Sequence, residues 1–239
     1  MPMTSGRVAE ILSALWTESS DGSALSAGLV QDCSQALPVS GVGLALMTER
    51  GPAGTVAASD GAALELEDLQ FTLGEGPCVD ASETGRPVLE PDLAATGPRR
   101  WPAFAGGALA AGVAAVFALP LRVGAIRVGV LDLYRATPGA LTPEHLREAL
   151  AFADAATLLL LYLQTRAPAD EFSPGALALP ADRAEVHQAT GVVSVQAGVS
   201  LAEALVLVRA RAYAEQRPVG DVARDVLAGR ADFTDRPNR

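Results

Sequence analysis

The run AVFALPLRVGAIRVGVLDLY, Ala115–Tyr134, decides the fold class. It holds two apolar stretches of strand length, Ala115–Leu121 and Ile126–Tyr134, joined by RVGA. Apolar and β-branched runs on either side of a short Gly-containing segment predict an antiparallel hairpin. Moving outward, Gly41–Met47 (GVGLALM) reads as another short apolar strand. Thr55–Ser59 can pair with it across ERGPAG, and Val88–Pro91 reads as an edge strand.

Helical patterns surround these strands. Val8, Ile11, Leu12 and Leu15 share one face of Val8–Trp16, and Leu25, Leu29, Cys33 and Leu37 recur every four residues in Ser23–Leu37. Pro77–Thr84 predicts a short helix with proline first, where its missing N–H costs nothing. Trp101–Ala111 predicts another. Thr142-Pro143-Glu144 provides an N-cap, a first-turn proline and a first-turn acid for a long helix ending near Gln164. Leading helices, a hairpin-rich centre and a long closing helix give an α+β domain with an antiparallel sheet, assigned to residues 7–165.

Arg166–Pro180 (RAPADEFSPGALALP) holds three prolines and a glycine and reads as a linker over 166–180. Residues 181–230 then show three amphipathic helices, with 231–239 as a tail. Asp182 with Glu185, and Ser200 with Glu203, have capping-box spacing, and Gly198 can close the first of these helices. Leu201, Ala204, Leu205, Val208 and Ala212 form one inward stripe. After Pro218, the residues Val219, Val222, Ala223, Val226 and Leu227 form another. A compact three-helix bundle is expected, small enough to call for a partner surface.

Charge is divided unevenly. The net charge is −10, and all 18 basic residues are arginine. Residues 181–239 hold eight Arg and eight Asp+Glu, so the whole excess of acid lies before them. The front of the chain should repel polyanions, leaving any such contact to the end. Cys33 and Cys78 are the only cysteines, too few for a disulfide framework or a zinc set, and a cytoplasmic location is expected. His145 and His187 have no acidic or Cys companions at metal-site spacing. The N-terminus lacks the apolar core of a signal peptide, and the longest apolar run, Ala155–Leu163, is too short to span a bilayer. No nucleophile–base pair can be assembled, so no catalytic residue is named and no enzyme is expected; the rival reading would use Cys78 or His187.

Two stretches resemble known families. LGEGPCVDA (Leu73–Ala81), PVLEPDL (Pro87–Leu93), RRWPAF (Arg99–Phe104) and ALPLRVGAIRVGVLDLYR (Ala118–Arg135) resemble the GAF sensor domain of actinobacterial GAF-ANTAR proteins. QATG (Gln188–Gly191), EAL (Glu203–Leu205), LVRARA (Leu207–Ala212) and DVARDV (Asp221–Val226) resemble the ANTAR domain, an RNA-binding antitermination module.

The GAF resemblance implies a sheet with flanking helices and a sensor pocket for a small molecule or partner. Its candidate lining is Phe71, Cys78, Trp101, Phe104, Val116, Phe117 and Asp132, each with plain core packing as the competing reading. Cys78 near a helix start could be reactive or simply a buried core thiol. No cofactor is assigned, and the cysteine positions with a missing His argue against covalent bilin or haem. LGEGP lacks the strand context and lysine of a phosphate loop, so its glycines are expected to shape a turn over the pocket.

The ANTAR resemblance implies a homodimer that binds paired RNA stem-loops. Its candidate contacts are Gln188, Thr190, Gly191, Ser194, Arg209, Arg211 and Arg217 on the polar side of the helices. Arginine suits the role because its planar fork pairs with phosphate or a guanine edge. Thr190 stands where the common family motif has lysine, and a hydroxyl brings no counterion release. That leaves three outcomes: contact mainly by arginines, weaker affinity, or loss of RNA binding. Leu146, Leu150, Ala153, Ala156 or Thr157, Leu160 and Leu163 approximate a seam suited to dimerisation.

Overall fold

A computed structural model of the chain describes residues 3–18, 21–48, 51–166, 181–215 and 217–234. The chain divides into two compact units, one built from Met1–Phe71 with Glu75–Ala178 and one containing Leu179–Arg239.

The first unit begins with α1 (Met3–Glu18), α2 (Gly22–Ala36), β1 (Gly41–Thr48), β2 (Gly51–Ala58) and α3 (Gly61–Leu73). It continues through α4 (Pro77–Thr84), β3 (Val88–Glu90), α5 (Leu93–Arg100) and α6 (Pro102–Ala110). The hairpin strands β4 (Ala115–Val123) and β5 (Ile126–Arg135) follow, and α7 (Pro143–Arg166) closes the unit. The five strands lie in the order β2-β1-β5-β4-β3, every pair antiparallel. The sheet therefore centres on β5, the second strand of the hairpin that decided the fold class.

Register fixes which side chains share a face. Asp132 of β5 pairs with Gly43 of β1 and Ala118 of β4, and Tyr134 pairs with Gly41 and Val116. Leu131 and Leu133 point the other way by the two-residue alternation of a strand. Leu160 of α7 packs over Gly129, which places α7 on that second face, and α2 packs against both α7 and the sheet. Apolar side chains fill this layer: Leu25, Leu29, Cys33, Phe152, Ala156 and Leu160 are all buried.

Local chemistry starts the helices. Asp21 accepts from Ser23 N and Ala24 N at the head of α2. Thr142 Oγ1 accepts from His145 N at 3.2 Å at the head of α7, as its sequence predicts.

Two helices differ from expectation. α3 is not legible as a helix because its buried stripe, Ala63, Leu66, Glu67, Gln70 and Phe71, includes two polar residues that break hydrophobic periodicity. α5 contains Gly97 and Pro98, which mask a helix started by the Asp92 side chain accepting from Ala95 N. The dimer seam expected on α7 is also corrected. Ala153, Ala156, Leu160 and Leu163 are buried within their own unit, while Leu150 is exposed.

In the second unit, α8 (Ala181–Ala197), α9 (Leu201–Glu215) and α10 (Val219–Leu227) pack on one another. Ser200 and Glu203 form a reciprocal capping box: Ser200 N donates to Glu203 Oε2 at 2.9 Å, and Glu203 N donates to Ser200 Oγ at 3.2 Å. Gly198, with φ +64°, ends α8. Asp182 lies inside α8 rather than before it, so the first expected capping box is not a start signal. Val186, Ala189, Val193, Ala204, Leu205, Val208, Ala212, Val222, Ala223 and Val226 are buried, whereas Leu227 of the expected stripe is exposed. The linker beyond residue 166 and the last five residues of the tail lie outside the described residues. Among the described residues, no single helix is long and apolar enough to cross a membrane.

Candidate ligand site

The sheet buries one carboxylate at its centre. Asp132 has no exposed surface, and its cross-strand neighbours Gly43 and Ala118 are small. Small neighbours leave the space above the strand to side chains from the helices. Glu67 of α3 enters over Gly43, where an added Cβ would lie 2.0 Å from Glu67 Oε1. Packing, rather than conformational freedom, demands glycine at that position.

A chain of hydrogen bonds holds this layer. Gln70 Nε2 donates to the Tyr134 hydroxyl at 3.2 Å, and the hydroxyl donates to Glu67 Oε1 at 2.8 Å. Gln70 Oε1 accepts from Cys78 N at 2.9 Å, tying α3 to the first turn of α4. Gly76, just before α4, has φ +142°, and a Cβ there would approach Gln70 Oε1 to 2.5 Å. The glycine therefore serves both the turn and the bond.

Side-chain hydrogen bonds with Glu67, Cys78 and Gln70 join Asp132 to this chain. Burial, and then the nearby Glu67 charge, hold its carboxyl well above the usual carboxylate range, while the Cys78 and Gln70 side chains pull in the opposite direction. Burial, followed by the charges of Glu67 and Asp132, likewise pushes the Tyr134 phenol up. Among the described residues, no three His, Cys, Asp or Glu side chains gather in a way that could hold a metal ion.

Nearby loops are tied by acids. Glu75 Oε1 accepts from Ala103 N and Phe104 N at 2.9 and 3.1 Å, capping α6. Asp80 Oδ2 accepts from Trp101 Nε1 at 3.1 Å and pairs with Arg100 at 3.2 Å. Arg100 also reaches Glu90 and stacks 4.1 Å from the Trp101 ring centroid. The LGEGP segment thus leads into α4 through Gly76 and caps α6 through Glu75.

The structure sorts the expected lining residues. Cys78 and Asp132 come together with Glu67, Gln70 and Tyr134. Val116 shares their sheet face, because it pairs with Tyr134, and Phe71 follows Glu67 by one turn of α3. Trp101 and Phe104 are buried at the α5–α6 junction. Phe117 is a correction: it pairs with Leu133 and so faces the opposite layer from Asp132. Glu67, Gln70 and Tyr134 went unread in the sequence. The available signal was Asp-Leu-Tyr in an apolar strand, which puts two polar groups on one face.

A sequence model of the GAF domain matches residues 22–160. The chain belongs to the GAF domain family. GAF domains are signal-sensing domains of sensor and regulatory proteins. No functionally curated protein is significantly similar to the chain. Among solved structures, it resembles the GAF domain of an Acinetobacter phosphoenolpyruvate-protein phosphotransferase. That likeness has a TM-score of 0.53 and 11% identity, over 71% of this chain and 99% of the other. The GAF domain of the Coxiella burnetii phosphoenolpyruvate-protein phosphotransferase gives 0.51 at 14% identity, over 67% and 96%. At these identities the likenesses establish the fold alone.

Outside the GAF match, the seven expected RNA contacts are unevenly placed. Gln188 is exposed on α8. Thr190 is corrected from the polar side to the inward side: it is buried, and its hydroxyl donates to Val186 O at 2.7 Å. Gly191 is half-buried, and Ser194 donates to Val199 O. Arg209 is half-buried. Arg211 pairs with Glu215 and stacks on Phe233, and Arg217 pairs with Glu215 and Asp225.

Proposed function

We propose that the chain is a signal-responsive regulator. Its GAF domain binds a small molecule or partner at the Asp132 cluster, and its three C-terminal helices act as an ANTAR-like output that binds RNA stem-loops and antiterminates transcription. The observation that carries the sensor half is Asp132, a fully buried carboxylate in a polar layer with Glu67, Gln70, Cys78 and Tyr134. Burying so many polar groups against one sheet face costs stability, and a binding role accounts for keeping them. The action is binding rather than turnover, and no histidine belongs to this cluster among the described residues.

The RNA half rests on the motif resemblance and on the charge division of the sequence. The chain acts as a homodimer, since paired stem-loops need two reading heads. Leu150 and Leu158, two turns apart on α7, are exposed and available to a second copy. Gel-shift titration with paired stem-loop RNAs over a salt series tests this half. Affinity that falls with salt supports it; no shift at low salt with dimeric protein removes it.

A second reading has its own support. Arg211, Arg217, Arg224 and Arg230 are engaged with acids of the same unit, including Arg224 with Glu185 and Arg230 with Asp225. Meanwhile Val195, Val206 and Tyr213 are exposed. Paired charges and bare apolar side chains favour a protein-binding output that has lost RNA affinity. In that case the chain captures a protein partner while RNA fails to shift.

A further inference from the structure

We propose that α9 pairs antiparallel with α9 of a second copy, about a two-fold axis at its middle, an inference that rests on reading the chain as a homodimer. α9 (Leu201–Glu215) is apolar on two sides. Its inward side, Ala204, Leu205, Val208 and Ala212, is buried in the bundle. On the opposite side Ala202, Val206, Ala210 and Tyr213 recur at intervals of four, four and three, which is one helix face. All four are exposed, the two large ones strongly: Val206 by 60% and Tyr213 by 69%. Leu207 and Ala214, also exposed, widen the face on one flank. A helix with apolar residues all round belongs in an interior.

Charge indicates what covers this face. Residues 181–239 hold eight Arg and eight Asp+Glu, so two copies of the unit carry no net charge with which to repel each other. One acid, Glu203, and one half-buried base, Arg209, stand at the edges of the face, so neither sign selects an oppositely charged partner. A small bundle also buries too little surface by itself and gains from a like neighbour.

The order of residues along the face suits a copy of itself. α9 runs from 201 to 215, with Val208 at its midpoint. Reversal about that point exchanges Ala202 with Ala214 and Val206 with Ala210. A two-fold contact needs this property, because residue i meets j wherever j meets i. Each Val206 then lies against an alanine, and the small side chains let the helices approach closely. The same reversal sets Tyr213 level with Glu203 of the second copy, a phenol donor beside a carboxylate. Glu203 Oε2 accepts from Ser200 N and Oγ, and a carboxylate has about four lone-pair sites, room for one donor more.

The test is disulfide cross-linking in the full chain. Val206→Cys and Ala210→Cys chains are prepared separately, mixed and oxidised in dilute solution, with sedimentation velocity on the parent. The parent, whose Cys33 and Cys78 are buried, gives the background. The mixture should link at least about tenfold faster than either variant alone, because position 206 of one copy meets position 210 of the other. Adding Tyr213→Glu to both chains sets acid against acid and should slow linking about tenfold, whereas Tyr213→Arg should not slow it. Either cysteine variant linking with itself as fast as the mixture overturns the pairing, as does a rate indifferent to the charge at position 213. A dimeric parent whose mixture links no faster than background overturns the α9 contact but keeps the homodimer. A monomeric parent overturns both.

Discussion

Tyr134 donates its hydroxyl to Glu67 Oε1 at 2.8 Å, although the two residues are 67 positions apart. This bond fastens α3 to the central strand of the sheet and gives a buried carboxylate its donor. Tyr134→Phe keeps the ring and removes the bond, leaving Glu67 and Gln70 each short of a partner. A loss of about 1–3 kcal/mol is expected in urea unfolding. A variant as stable as the parent means that another donor replaces the phenol.

Asp132 makes stability depend on pH in an unusual direction. Its folded pKa lies above the ordinary value near 3.8, so between the two the folded state binds more protons than the unfolded one. The contribution is fully present below the unfolded pKa and is lost as pH rises toward the folded one. Without ligand, Asp132→Asn should be more stable than the parent at pH 7, by roughly 1–3 kcal/mol, and the gap should shrink toward pH 4. Urea unfolding of both proteins across that range is the check; a gap that widens on acidification contradicts it.

Gly76→Ala should damage the ligand layer. The residue sits at φ +142°, and the new methyl would meet Gln70 Oε1 at 2.5 Å. Strain of this kind costs about 1–3 kcal/mol. Because Gln70 also holds Cys78 N, the amide of Cys78 should lose protection in hydrogen exchange. Unchanged protection there would show that the turn relaxes without disturbing α4.

Ser200→Ala tests the second unit separately. It removes the acceptor for Glu203 N and one partner of the Glu203 carboxylate. The expected cost is about 1 kcal/mol, seen as faster amide exchange through α9, while the GAF sheet exchanges as before. Equal acceleration in both units would mean that they open together.

Much of the fold was readable because its determinants are local. The β4–β5 hairpin follows from two apolar runs and a short turn, and α4 falls at Pro77–Thr84 as read from its leading proline. Asp132 stood out as an acid within an apolar strand. What escaped depends on long-range pairing. Phe117 was grouped with Asp132 because register, which sends neighbouring strand residues to opposite faces, cannot be seen before the strands are paired. Glu67 and Gln70 concealed both a helix and half of the site, since polar residues in a core stripe look like solvent positions. Thr190 reversed that error: its hydroxyl suggested a surface, but a bond to Val186 O satisfies it inside α8.

Cys33 and Cys78 are both buried thiols outside any disulfide, one on α2 and the other on α4, and these two helices flank opposite faces of one sheet. Neither thiol can meet an alkylating reagent until its own layer lifts. The natural sequence therefore carries two clocks of breathing, one for each side of the β-sheet. Mass spectrometry of peptides after timed alkylation would read both from one sample. Slower modification of Cys78 alone would mark an occupant on its side of the sheet, without any engineered probe.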